Sequence, residues 1–97
     1  MISVSVRYLV NFSIVTGKKQ ENVMITEAST LKDLLNLLVE RYGQPLEKEL
    51  FNLQTGEVKT HVLILINGRS VDQYKDKLHT ALSYGDSIIY TFPVTGG

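Results

Sequence analysis

A chain of 97 residues, 43% hydrophobic and 21% charged, has room for one compact domain and too much apolar material to stay disordered. Ten basic residues against ten acidic ones give a formal net charge of zero, which removes the long-range attraction that nucleic acid or an anionic membrane would exert. The lack of cysteine excludes a disulfide framework, a thiolate zinc site, an iron–sulfur cluster bound by this chain and a cysteine nucleophile, and it fits a reducing compartment.

The first residues have no cationic start and alternate instead of running apolar, unlike a secretory leader. The longest apolar run, Val62 to Ile66, is far too short for a bilayer span. A cytoplasmic protein is expected.

Ile2, Val4, Val6 and Tyr8 alternate with Ser3, Ser5 and Arg7, the period of a strand with one buried face. Leu9 to Val15 is apolar without a clean period, so its form stays open. Thr16-Gly17-Lys18-Lys19 offers a turn, and Val23 and Ile25 suggest a second strand returning antiparallel to the first.

From Thr30 the period changes. Leu31, Leu34, Leu35, Leu38, Val39 and Tyr42 recur at the three- and four-residue steps of one helix face. Thr30 with Asp33 has the spacing of a capping box, and Gly43 followed by Pro45 is a stop, with Gly43 expected in the left-handed position after the helix. Pro45 to Asn52 suggests a second, short helix that turns Leu46, Leu50 and Phe51 inward.

Val62 to Ile66 is apolar on both parities, as in a central strand covered on two sides. Asn67-Gly68 suits the positive backbone angles of a tight hairpin, which explains this dipeptide without a binding role. Leu78 and Leu82 anchor the next stretch, and Gly85-Asp86 makes a turn. Ser87 to Phe92 reads as the last strand, ended by Pro93. The order implies an α+β fold, a small mixed sheet with one main helix packed across it, over residues 1–92, with a flexible tail at 93–97. One helix covers one sheet face, so apolar residues near Phe92 and Val94 should stay exposed for partners unless residues 45–60 fold over them.

Thr16-Gly17-Lys18-Lys19, the helix from Thr30-Leu31-Lys32-Asp33-Leu34-Leu35 to Glu40-Arg41-Tyr42-Gly43, Val62 to Asn67-Gly68-Arg69, Gly85-Asp86 and Pro93-Val94-Thr95-Gly96-Gly97 stand in a fixed order. Together they resemble the MoaD/ThiS-type ubiquitin-like sulfur carriers, most nearly the small subunit of molybdopterin synthase, along nearly the whole chain. The resemblance implies the ubiquitin-like β-grasp fold. With glycine at about 7% of residues, a terminal pair arises by chance in roughly 0.5% of chains.

The resemblance also implies a mechanism. The Gly97 carboxylate would attack the α-phosphate of ATP in an adenylating partner, and a sulfur donor would convert the acyl-adenylate to a thiocarboxylate. Within a synthase complex that sulfur would build the dithiolene of the molybdenum or tungsten cofactor, with acid and base groups on the large subunit. The chain would thus be a carrier and not an enzyme, binding no cofactor or metal directly while its partner uses ATP.

Physics is consistent with these roles. A terminal carboxyl of pKa about 3.3–3.7 is an anion at neutral pH and needs activation. Gly96 and Gly97 lack the Cβ atoms that a narrow catalytic channel would reject. Phe92, Pro93, Val94 and Thr95 are the expected partner contacts. The tail has one proline, Pro93, where the family usually shows two, and the family's Arg-Glu pair after the first strand is absent. A thiamine-type carrier and a protein modifier linked through Gly97 to lysine share the activation step and remain open. His61 and His79 lie far apart without a ligand pattern. Asp72, Asp76 and Asp86 suit turns, and Lys18 and Lys19 a solvated turn.

Overall fold

The computed structural model describes residues 1–91. In chain order the elements are β1 (Ile2–Tyr8), α1 (Asn11–Thr16), β2 (Gln20–Ile25), α2 (Leu31–Tyr42), α3 (Gln44–Leu50), β3 (Leu63–Ile66), β4 (Arg69–Ser70) and β5 (Ser87–Thr91), with single 3-10 turns at Val71–Gln73 and Lys77–His79. The strands form one mixed sheet of order β2-β1-β5-β3-β4. β1 pairs antiparallel with β2 and parallel with β5, and β3 is antiparallel to both β5 and β4.

The period-two alternation of β1 places Val4, Val6 and Tyr8 in the core. β2 returns antiparallel with Val23 and Ile25 turned the same way. Leu31, Leu34, Leu35 and Leu38 of α2 are fully buried against that face, each contributing about 1.5–3 kcal/mol over an exposed position. The cap of α2 is reciprocal: the Asp33 amide donates to the Thr30 hydroxyl at 3.2 Å, and the Thr30 amide donates to the Asp33 carboxylate at 2.9 Å.

Gly43 ends α2 with φ 77° and ψ −157°. That φ is positive as expected, but the extended ψ differs from a left-handed cap, because the same residue also opens α3. Only glycine enters this region without strain.

One segment whose form the sequence left open takes shape in the structure, and one differs from the sequence expectation. The aperiodic stretch 9–15 contains α1, entered through Val10 at φ 56° and ψ −128°. The exposed Val10 and Ile14 give α1 an outward apolar side, and this erased its amphipathic period. β3 is covered on one face only: Ile64 and Ile66 are buried while Leu63 and Leu65 are half-buried. It is an interior strand, as expected, lying between β5 and β4. The short helix α3 forms as expected and buries Leu46, Leu50 and Phe51; it packs on α1 and α2, so it joins the covered side and leaves the other face open.

The hairpin at Asn67-Gly68 forms as expected, with φ values of 51° and 85°, and it joins Ile66 directly to its partner Arg69. No described helix is long and apolar enough to cross a membrane.

Candidate functional site

The sequence leads to the expectation of a reactive carboxyl at Gly97, and the described segment that precedes it is treated as the root of the site. Gly97, Gly96 and the expected partner contacts Phe92, Pro93, Val94 and Thr95 all lie outside the described residues.

The root is β5. It runs between β1 and β3, with Tyr90 opposite Tyr8 on one side and Ile64 on the other, and Thr91 opposite Leu63. One further bond ties it to the neighbouring strand, where the Leu9 amide donates to the Tyr90 carbonyl at 3.0 Å. A central strand laddered on both sides cannot shift its register without turning every side chain over. Its last described residue is therefore held in place.

Aromatic packing reinforces the root. The Tyr8 and Tyr90 rings stack with centroids 6.0 Å apart, Phe12 from α1 tilts against Tyr90 at 6.1 Å, and Tyr42 from α2 meets Tyr8 edge-on at 6.2 Å. These separations fall within the range of favourable aromatic pairs. Burial raises the Tyr90 phenol well above its ordinary pKa, and its hydroxyl has no hydrogen-bond partner among the described residues.

Beside this cluster sits Glu21, whose side chain is only 9% exposed. Its carboxylate accepts from the Tyr8 hydroxyl at 2.6 Å and the Tyr42 hydroxyl at 2.5 Å, with Arg41 at 3.2 Å and Lys18 at 3.5 Å. Burial alone would push this carboxyl up. The two phenol donors and the two cations outweigh it and hold Glu21 below its ordinary range. The same contacts act oppositely on their partners: burial and the bond to Glu21 raise both Tyr8 and Tyr42. The cluster thus contains a stable anion and two neutral phenols at neutral pH. It locks β2, β1 and the end of α2 together and offers no group poised to exchange a proton there.

The sequence reading missed Glu21, although a signal was present. Positions 21, 23 and 25 share one parity, so the face that buries Val23 and Ile25 had to take a carboxylate as well, and such a group needs donors.

The open sheet face carries half-buried Leu63, Leu65 and Ile89, with exposed Arg7 opposite Ile89 in register. This face retains half-buried apolar residues, while the exposed patch expected near Phe92 and Val94 lies outside the described residues. A separate cavity of about 650 Å³ lies beside β3, floored by Val62, Val71 and Leu78 and rimmed by Lys32, Lys59 and Lys77. His79 lines it, but no cluster of three or more His, Asp or Glu residues suited to a metal occurs among the described residues.

A mixed five-stranded sheet with the main helix across one face is the β-grasp architecture of ubiquitin-like proteins. Residues 6–97 match the ThiS family, and the chain belongs to that family of ubiquitin-like sulfur carriers and modifiers. Small archaeal modifier protein 3 of Haloferax volcanii is 34% identical over 96 residues, covering 99% of this chain and all of the relative. The crystal structure of SAMP1 from Haloferax volcanii superposes with a TM-score of 0.81 at 27% identity, covering 98% of this chain and 99% of the other. A candidate molybdopterin converting factor, subunit 1, from Pyrococcus furiosus shares the fold with a TM-score of 0.76 at 24% identity over 97% of this chain and 100% of its own. Members of this group are small carriers and modifiers and not themselves catalysts.

Proposed function

We propose that the chain carries sulfur on the carboxyl carbon of Gly97. An adenylating partner joins the carboxylate to the α-phosphate of ATP with loss of pyrophosphate, and a sulfur donor then displaces AMP to leave a thiocarboxylate. The observation that carries this reading is the root: a central strand laddered on both sides up to Tyr90 and paired with Leu63 at Thr91, followed in sequence by Pro93-Val94-Thr95-Gly96-Gly97. A reacting atom on a short tether needs a fixed anchor, because small misplacements cost large factors in rate. Phe92, Pro93, Val94 and Thr95 would contact the partner that takes up the tail.

In the finer reading the sulfur goes to a pterin precursor, and the chain acts as the small subunit beside a larger synthase subunit that supplies acid and base groups. The second reading, attachment of Gly97 to a lysine amine, is favoured by the 34% identity to a protein named as a modifier. Recovering the chain from its own cells separates the two. A stable complex with a synthase large subunit supports the pterin branch, whereas branched peptides joining Gly97 to lysine side chains support the modifier branch.

A further inference from the structure

The edge of the sheet at β2 is built to accept another strand. β2 is an outermost strand of six residues without proline. The Tyr8 amide donates to the Lys19 carbonyl at 2.9 Å, and the Ser5 amide donates to the Asp86 carbonyl at 2.9 Å. These two bonds set the phase of the ladders: even residues of β1 bond toward β2 and odd ones toward the β5 side. Opposite them, Glu21, Val23 and Ile25 turn their backbone groups to β1. By the alternation of antiparallel pairing, the N–H and C=O groups of Gln20, Asn22 and Met24 face the open edge. Among the described residues, no turn, loop or side-chain hydrogen bond takes them up.

A strand added there would continue the pleat, so residues opposite Glu21, Val23 and Ile25 would point to the α2 side. At the Ile25 end lies a depression of about 230 Å³ with Met1, Met24, Ile25 and Leu37 as its apolar lining and Asp33 among its polar residues. At the other end Lys18 and Arg41 share the single Glu21 carboxylate, and exposed Lys19 adds a third cation.

We propose that the β2 edge binds an extended peptide segment of a partner protein as a sixth strand, with an apolar inward side chain at the Ile25 end and an acidic residue at the Lys18 end. Main-chain bonds supply affinity in this mode and alternate side chains supply selectivity. A second copy of the chain fits poorly, since the inward residues of its own β2, Val23 and Ile25, are already buried in its own core. β1 separates this edge from β5, so the partner would leave the tail root open. The inference stands apart from the chemistry proposed for Gly97.

Titrating the isotope-labelled full chain with acetyl-Ile-Thr-Val-Thr-Val-Thr-Glu-amide, written to pair antiparallel, tests this directly. Saturable amide shifts should be confined to residues 19–25 and to Asp33 and Leu37, with slowed hydrogen exchange at Gln20, Asn22 and Met24. Asn22→Pro removes one outward N–H, which an edge strand tolerates, and should weaken binding by about tenfold. Methylating the peptide nitrogens that face β2 should abolish binding without altering the protein, which keeps the test decisive if Asn22→Pro perturbs folding. Three results would overturn the proposal: no saturable shift at millimolar peptide, shifts centred on Leu65 and Ile89 or on Leu78, or equal affinity for the methylated peptide. Self-association that Asn22→Pro abolishes would overturn it too, by giving the edge to a second copy.

Discussion

Glu21 and Tyr90 make opposite demands on the same core. Glu21 is a half-buried carboxylate with two phenol donors and two cations, so Glu21→Ala strands the fully buried Tyr8 hydroxyl and should cost about 1–3 kcal/mol at neutral pH. Because the folded carboxyl titrates below its ordinary value of 4.5, its contribution is fully present above that value and is lost as pH falls through the lower, folded one. Urea denaturation at stepped pH should therefore show the gap between native chain and variant closing on the acid side only. A gap independent of pH would remove the charge from this account. Tyr90 carries the reverse case, a buried hydroxyl without a partner among the described residues. Tyr90→Phe should leave stability unchanged or raise it by up to about 1–2 kcal/mol. A loss on thermal melting would place a partner for that hydroxyl outside residues 1–91. The Tyr90 role is not legible in the sequence, since a tyrosine at a buried strand position looks the same whether its hydroxyl is bonded or not.

Among the elements, α2 was legible because three independent signals agreed: the leucine spacing, the Thr30–Asp33 cap and the Gly43 stop. Leu38→Ala should cost about 2–5 kcal/mol, the range for a truncated core leucine. A denaturation midpoint within error of the native chain would contradict the burial of that face. α1 was illegible for a physical reason. Its entry needs Val10 in a backbone region that β-branched residues avoid, and exposed Ile14 breaks the pattern that marks a helix. Strain of this kind costs on the order of 1–3 kcal/mol, and the Val10 side chain is 58% exposed. Val10→Gly should consequently raise the melting temperature, and a fall would show that the side chain contributes more by packing than the backbone loses. The double-parity apolar run around β3 misled in a different way: it reflected an open, partly apolar sheet face and not a second covering layer.

At the scale of the whole molecule, the sequence carried the family through the order of its short motifs, and the fold follows from alternation in β1 and the periodicity of α2. The motif at 93–97 was visible in sequence because glycine pairs are rare, while the packing of Tyr8 and Phe12 on Tyr90 of β5 required the folded chain, since these residues come from separate segments. On the proposed reading, the β-grasp body holds Thr91 and the residues that follow would place one carboxyl carbon. Deleting Gly97 would draw that carbon back by about 3.3–3.6 Å along an extended tail, far beyond the roughly 1 Å at which misplacement costs on the order of a hundredfold in rate. The core should be untouched, and the deletion variant should still fold and bind the adenylating partner. The most direct measurement is intact mass after incubation with that partner, ATP and a sulfur donor. The native chain should gain the mass of one sulfur-for-oxygen exchange, located by fragmentation at Gly97, and the deletion variant should gain none on the same timescale. Equal gain by the variant, or sulfur found elsewhere on the native chain, would contradict the carrier mechanism.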